Sequence, residues 1–166
     1  MMLDEMEMFR GLPARFDCTN ESNPNRAFEK LVTRLVMESV ATSGFQAIGQ
    51  APKKIWFGDN GDVRGITTDI LVKSGKDVVA ILDAKCKEQL TAGDFAELFL
   101  YINEYKLKSC IAILPTYPGR KDMKWISSNG KTSIHEKRLD IAKTVSLLRT
   151  GDTKSIANTV RGWNDA

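Results

Sequence analysis

TTDILVKSGKDVVAILDAKCKE, residues 67–88, is the stretch of sequence that decides the fold of this chain. It contains most of two runs rich in β-forming residues, 66–72 and 78–85, joined by the short glycine-containing interval 73–77. Such an interval between two β-rich runs is typical of a hairpin loop. Residues 78–82 are all apolar, which predicts a strand that is buried on both faces of a sheet.

The second run ends abruptly in the charged triplet Asp83-Ala84-Lys85. Side chains alternate along a strand, so Asp83 and Lys85 point to one face of the sheet while Ala84 points to the other. Charged groups at the end of a buried strand are costly to desolvate unless another group compensates them. The triplet therefore marks either a functional site or a partly buried cluster of ion pairs.

Asp69 lies on the first run and brings a second carboxylate towards this triplet. Folding the hairpin evenly about residues 74–75 places Asp69 opposite residue 80 or 81, two or three positions from Asp83. Two carboxylates held that close repel each other, and a divalent cation is the usual compensation. A single lysine does not neutralise both of them.

An Asp on one strand and an Asp-x-Lys triplet on the next resemble the signature of the PD-(D/E)xK nuclease superfamily. Thr68 stands where that signature has proline. The phrase ILDAKCK, residues 81–87, is most similar to the nuclease subunit of McrC-type restriction systems. The resemblance covers residues 25–115 approximately. It implies a restriction-endonuclease-like α/β fold, in which a central mixed sheet is flanked by helices on both faces.

The resemblance also implies a divalent-metal-dependent endonuclease that hydrolyses phosphodiester bonds, in DNA rather than RNA. In this interpretation Asp69, Asp83 and the backbone carbonyl of Ala84 bind Mg²⁺ or Mn²⁺. Lys85 positions or deprotonates the attacking water, a role that a lowered pKa would favour. Glu29, on the first predicted helix, holds a metal-bound water; a solvated position on the helix surface is the alternative for this residue.

Further candidates for supporting the site or contacting substrate are Glu97, Tyr101, Lys87, Lys121, Lys124 and Trp125. Glu97 and Tyr101 are four residues apart on a predicted helix, where related nucleases carry Gln-x-x-x-Tyr; an ordinary helix pair is the alternative. Lys87 is one strand step beyond Lys85, on the same face, and is a candidate phosphate contact. The interval 117–125 mixes cations with aromatic residues, as phosphate and base contacts do. A solvated connecting loop is the alternative there.

Capping residues and apolar spacing predict the other elements. They are a helix over 23–43, a strand over 53–57 followed by a turn, a helix over 91–106, strands over 109–114 and 131–139, and helices over 140–149 and 153–163. The strand over 109–114 follows a helix, which predicts parallel pairing with the strand before that helix. The predicted buried stripe of the helix over 91–106 is Phe95, Leu98, Phe99 and Ile102.

A chain of 166 residues has the length of one domain, and we expect a single nuclease-like domain over residues 1–166. Its expected parts are an irregular N-terminal segment, 1–23, a catalytic core, 25–115, and a C-terminal extension, 116–166, that carries a strand and helices.

Composition restricts the compartment and the partners. The three cysteines have no CxxC spacing, and residues 1–7 are acidic where a signal peptide is basic, so we expect a cytoplasmic protein without a zinc site. No apolar run approaches the ~18–20 residues of a membrane helix, which excludes the membrane as a partner. A net charge of +3 permits a nucleic-acid partner without arguing for one.

The McrC resemblance implies a separate NTPase motor subunit, since the sequence has no P-loop, and a homodimer is compatible with it. Two alternatives stay open. One is a nuclease-fold module that binds nucleic acid or a partner without cutting. The other is an RNA-cleaving nuclease, similar to cap-snatching enzymes, with the same site.

Overall fold

The computed structural model describes residues 23–164, so the irregular segment predicted over 1–23 lies, apart from Asn23, outside the described residues. Within that range the chain forms a six-stranded mixed sheet in the order β1-β2-β3-β4-β6-β5. The elements are α1 (Pro24–Val40), β1 (Gln46–Phe57), β2 (Val63–Ser74), β3 (Asp77–Ala84), α2 (Ala92–Glu104), β4 (Ser109–Pro115), β5 (Met123–Ile126), β6 (Ser133–Leu139), α3 (Ile141–Thr150) and α4 (Thr153–Asn164).

Helices cover both faces of this sheet, which confirms the predicted restriction-endonuclease-like α/β fold. One apolar cluster joins α1, α3 and α4 to the sheet, and a second joins α2 to it. Adjacent residues of β2 divide between the clusters, Ile70 with the first and Leu71 with the second, so the clusters lie on opposite faces. Burial of these apolar surfaces is the main stabilising term.

The first helix begins where the sequence predicts and ends earlier. The Asn23 side chain accepts a hydrogen bond from the Asn25 backbone N–H at 3.0 Å, and Pro24 occupies the first helical position. The helix ends at Val40 rather than Ser43 because residues 41–44 form a turn. Its apolar residues Phe28, Leu31, Val32, Leu35 and Val36 are buried in the core, and Val40 packs against it partly buried.

The antiparallel hairpin of β2 and β3 is confirmed, but its predicted register is wrong. Ile70 pairs with Leu82, so Asp69 lies directly opposite Asp83 and not opposite residue 80 or 81. The turn is centred between Gly75 and Lys76, one position later than an even fold about residues 74–75. Gly75 has φ +61, a conformation that favours glycine.

A β-bulge supplies the rest of the register shift. Val72 pairs with Ala80 and Lys73 with Val78, so Val79 is an extra residue in β3. Val79 is 46% exposed, and the continuous burial predicted for residues 78–82 is limited to Ile81 and Leu82. The bulge exposes Val79, while Val78 and Ala80 on either side of it pack against the core partly buried.

The predicted parallel pairing of β3 with β4 is confirmed, and β6 pairs in parallel with the other side of β4. The interval 117–125 is not entirely a loop, because Met123–Ile126 form the edge strand β5 against β6. Strands contributed by residues after 115 therefore belong to the same sheet as the hairpin.

Thr91 caps α2 as predicted, through a reciprocal pair of hydrogen bonds with Asp94. The predicted buried stripe is wrong at Phe99, which is 47% exposed, while Tyr101 is buried. The reason is a rotation of the helix: its core side turns towards β2, and Phe99 lines an open apolar groove beside Trp125.

No helix within residues 23–164 combines the length and the apolar character that crossing a membrane requires.

Gly65→Ala should destabilise the pairing of β1 with β2. A Cβ at this position would lie 2.5 Å from the backbone carbonyl oxygen of Lys53, closer than atoms can pack. We expect the free energy of unfolding, measured with urea, to fall by about 1–3 kcal/mol. Gly162→Ala is the control, because its Cβ meets nothing within 4 Å and helical Gly→Ala changes stabilise by up to ~1 kcal/mol. Equal stability of Gly65→Ala and wild type would contradict the described packing.

Candidate active site

Two aspartates face each other where the hairpin ladder stops. The last paired positions are Ile70 and Leu82, and the next opposed residues are Asp69 in β2 and Asp83 in β3. Asp69 Oδ2 accepts a hydrogen bond from the Ala84 backbone N–H at 2.9 Å. Asp83 is only 1% exposed, and Asp69 is half-buried. The shifted register thus brings the two carboxylates closer together than the sequence predicts.

Lys85 lies between carboxylates of the sheet and of α2. Its Nζ is 2.9 Å from Asp83 Oδ2 and 2.7 Å from Glu97 Oε2. The contact with Glu97 is a hydrogen bond, whereas Asp83 Oδ2 has no aligned hydrogen-bond partner among residues 23–164. The ammonium therefore offsets the charge of Asp83 without satisfying this buried oxygen.

Glu97 and Tyr101 form a bridge from Lys85 to β2. The Tyr101 hydroxyl lies 2.8 Å from Glu97 Oε1 and 3.0 Å from the Thr67 carbonyl oxygen, and its single proton is shared between these acceptors. The pair predicted on the helix is therefore part of the site. Glu97 holds Lys85 rather than pointing away from it.

Glu29 also reaches the site, from α1. It is half-buried and accepts a hydrogen bond from Gln50 Nε2, which in turn lies 3.4 Å from Asp69 Oδ1. Sequence reasoning missed Gln50 altogether. It lies in the part of β1 before residue 53 that was not predicted as a strand, and neither spacing nor charge marks it.

The site is strongly acidic for a half-buried cluster. Within the described part of the chain it brings together four carboxyl groups, of Glu29, Asp69, Asp83 and Glu97, and the Lys85 ammonium, while the charge of Arg26 acts on Glu29. Burial, followed by the charge of Asp69, raises the pKa of Asp83 to about 7. Burial also raises the pKa values of Asp69 and Glu29. Burial and mutual repulsion thus outweigh the hydrogen bonds and positive charges that favour the ionised forms of these three carboxyl groups.

The charge state of Lys85 differs from the one that proton abstraction favours. Burial lowers its pKa, but the charge of Asp83 and the hydrogen bond and charge of Glu97 outweigh burial, so the pKa lies above the ordinary 10.5. Lys85 is therefore an ammonium at neutral pH in this arrangement. It can donate hydrogen bonds and positive charge, but it cannot accept a proton.

The other candidate residues lie apart from the carboxylates. Lys87 forms an ion pair with both oxygens of Asp94, at 2.9 and 2.8 Å, beside the N-terminus of α2. Trp125 is in β5, where its ring packs edge-on against Phe95 and its indole N–H donates to Glu136.

Two strands, β4 and β6, separate β5 from β3, a distance of about 14 Å at ~4.8 Å per strand. Lys124 is exposed on β5, and Lys121 is exposed in the connection before it. Substrate that reaches these three residues must extend well beyond the paired aspartates.

The donor set fits a hard divalent cation in part. Among residues 23–164, no three His, Cys, Asp or Glu side chains converge as a ready-made metal site. The predicted set needs only two carboxylates and one carbonyl, and Mg²⁺ ordinarily keeps several of its waters. The buried Asp83 Oδ2, which lacks a hydrogen-bond partner among the described residues, meets the chemical requirement of such a cation.

Fold and site together place this chain among restriction-endonuclease-like α/β architectures with opposed aspartates at a hairpin end. A similar fold occurs in a chain of the solved assembly of Thermococcus gammatolerans McrB AAA+ hexamers with bound McrC, with a TM-score of 0.60 and 15% sequence identity. The likeness covers 83% of this chain and 33% of that one, so this chain spans about a third of its length. At this identity the likeness establishes the fold alone. No protein-family model matches the sequence, and no curated protein is significantly similar to it.

Asp83→Asn should stabilise the metal-free protein at alkaline pH. Because folding raises the pKa of Asp83 from 3.8 to about 7, the folded state holds this proton more tightly than the unfolded chain, and the free energy of unfolding declines across that pH range. The uncharged Asn removes this loss. We expect a gain of about 1–3 kcal/mol at pH 8 and a smaller one at pH 5.

Urea unfolding in EDTA at both pH values measures this difference. Asp77→Asn, an exposed carboxylate at the start of the same strand, is the matched control and should change stability by no more than ~0.5 kcal/mol. A variant at position 83 that is less stable than wild type at pH 8 would contradict the described electrostatics.

Proposed function

We propose that this chain is a divalent-metal-dependent endonuclease domain that hydrolyses phosphodiester bonds in DNA, within a restriction or other DNA-processing system. One observation carries the proposal. Asp69 and Asp83 lie opposite each other at the end of β3, with Lys85 in contact with Asp83. These are the three residues that define the PD-(D/E)xK signature.

Asp69, Asp83 and the backbone carbonyl of Ala84 would hold Mg²⁺ or Mn²⁺. Such an ion, when bound, acidifies a water molecule and offsets the charge that develops on the phosphate. The excess of carboxylates over cationic groups supports this assignment, because a divalent cation compensates the repulsion that Lys85 leaves unbalanced.

Different side chains of the site would have different roles in hydrolysis. The attacking water would lose a proton to solvent as it forms a bond to phosphorus in line with the leaving oxygen. The bond from phosphorus to that oxygen would break, and the leaving oxygen would take up a proton from solvent. Glu29 accepts a hydrogen bond from the attacking water and so orients it. Lys85, as an ammonium, donates to the phosphoryl oxygens on which negative charge builds up. Glu97 and Tyr101 keep Lys85 in place.

We infer a separate motor subunit as partner. The matched structure combines McrB AAA+ hexamers with McrC, and the present chain corresponds to about a third of the chain it matches. In this proposal, the motor supplies DNA to the site, and DNA is therefore preferred to RNA as the substrate.

One observation favours a second function, a nuclease-fold module that grips nucleic acid without cutting it. Glu97 neutralises Lys85, where the related nucleases have an uncharged Gln at the helix position. In that case Asp83 is dispensable, and binding depends on the distant cations Lys121 and Lys124 and on Trp125.

The first test is cleavage of plasmid, single-stranded DNA and RNA with Mn²⁺, Mg²⁺ or EDTA. We expect DNA to be cut with either metal and not in EDTA. Lys85→Ala should reduce the rate about 10²–10³-fold, since it removes one donor to the developing charge. Asp83→Asn should reduce it at least as much while remaining folded.

Asp77→Asn should cut at the wild-type rate, because it lies at the far end of β3. Cutting that is unaffected by Asp83→Asn would exclude the proposed site. An absence of both metal binding and cutting would leave the binding module, whose DNA affinity should fall in Lys121→Ala, Lys124→Ala and Trp125→Ala. Preferential cutting of RNA would identify an RNA nuclease instead.

Glu97→Gln should tighten the binding of DNA. The change removes one negative charge beside Lys85 while keeping an oxygen that can accept from Tyr101. In an Asp83→Asn background, which prevents cutting, we expect the dissociation constant to fall about two- to fivefold at low salt and less at high salt.

Fluorescence anisotropy with labelled duplex measures this affinity. Glu38→Gln is the charge-matched control, because Glu38 lies on α1 in an ion pair with Arg34. Equal tightening by both variants would show that only net charge matters.

A further inference from the structure

We infer that Gln50 is a positioning residue, which holds Glu29 beside the paired aspartates through its side-chain amide. This inference rests on the proposed function, because its purpose is to place a carboxylate where the attacking water would lie. The amide itself touches carboxylates and not the reacting atoms.

The backbone of Gln50 is in an unusual conformation. Its φ is +50, in the left-handed region, although it lies within β1. Only one other non-glycine residue in the described part of the chain has a positive φ: Lys106, just after α2. A left-handed glutamine is uncommon, and it persists where surrounding contacts demand it.

The register explains what this conformation achieves. Gly49 pairs with Ile70 and Ala51 with Thr68, so Gln50 lies opposite Asp69. From there its Nε2 donates to Glu29 and approaches Asp69 Oδ1 at 3.4 Å, near the long limit of a hydrogen bond. One side chain thus links α1 to the first aspartate.

An amide is well suited to this position. It offers two N–H donors and carries no charge, so it bridges two carboxylates without neutralising either. The negative charges of Glu29 and Asp69 repel each other. Without the hydrogen bond from Gln50, this repulsion would favour a Glu29 side chain that points to solvent. A lysine at position 50 could also bind both carboxylates, but its positive charge would repel a metal cation at the site.

The neighbouring Gly49 brings the helix close enough for this contact. A Cβ at Gly49 would lie 3.1 Å from Thr33 Cγ2, so a larger residue would push α1 away from β1. Thr33 is one helical turn after Glu29 and on the same side of α1. The close packing of α1 on Gly49 and the left-handed backbone of Gln50 both bring the Glu29 carboxylate within reach of the Gln50 amide.

Two substitutions separate the amide from the backbone. Gln50→Ala removes the amide and keeps the strained conformation, whereas Gln50→Gly removes both, because glycine adopts positive φ readily. We expect the glycine variant to melt about 2–4 °C above the alanine variant. Both should bind Mn²⁺ about tenfold more weakly in calorimetry, since residues that orient a metal site typically contribute 10–100-fold.

Lys106→Gly is the matched control for the backbone change. It relieves the same kind of conformation, at φ +55, at the end of α2, and should leave Mn²⁺ affinity unchanged. Wild-type Mn²⁺ affinity in Gln50→Ala would overturn the inference, because the amide would then be unnecessary. Wild-type cleavage by both Gln50 variants would overturn it equally.

A metal-free measurement makes the inference independent of the proposed function. Gln50→Ala, Glu29→Ala and the double variant are melted in EDTA, and we expect their shifts in melting temperature to be non-additive by about 2 °C or more. Additive shifts would mean that Gln50 does not hold Glu29. Non-additive shifts in a protein that neither binds Mn²⁺ nor cuts would reject the nuclease and retain the contact.

Discussion

The repulsion between two carboxyl groups held side by side out of water is the constraint on which the rest of this structure depends. Asp69 and Asp83 occupy opposed positions of a hairpin, and one of them is almost fully buried. The surroundings reduce the cost in separate ways: the Ala84 N–H donates to Asp69, and the Lys85 ammonium lies against Asp83. These contacts reduce the cost of burying the pair without removing it, because the pKa of Asp83 is still raised.

Much of the site could be predicted because it depends on short-range rules. Apolar spacing and the glycine turn identify the hairpin, and strand alternation puts Asp83 and Lys85 on one face. The register could not be predicted, because it depends on the bulge at Val79, and a bulge has no reliable local sequence signal. The observed register places the two aspartates directly opposite each other, closer than the predicted register does.

The positions of residues outside the hairpin were harder to predict from the sequence, because they depend on tertiary contacts. Lys87 has the spacing of a phosphate ligand but is held by Asp94, which also caps α2. Trp125 packs edge-on against Phe95, near the edge of the sheet formed by β5. Gln50 had no signal at all, because its contacts depend on a left-handed backbone that sequence does not encode for glutamine. Charge patterns in the sequence therefore predict the paired aspartates more readily than the residues that surround them.

The strand order has a consequence for how the chain reaches its folded state. β6 is inserted between β4 and the edge strand β5, so one side of the buried strand β4 finds its backbone partners only in Ser133–Leu139. During synthesis, the hairpin and α2 can associate early, while β4 keeps an open edge that can pair with other chains. Completion of the sheet must wait for residues synthesised well after the aspartates, and until then the open edge of β4 favours aggregation.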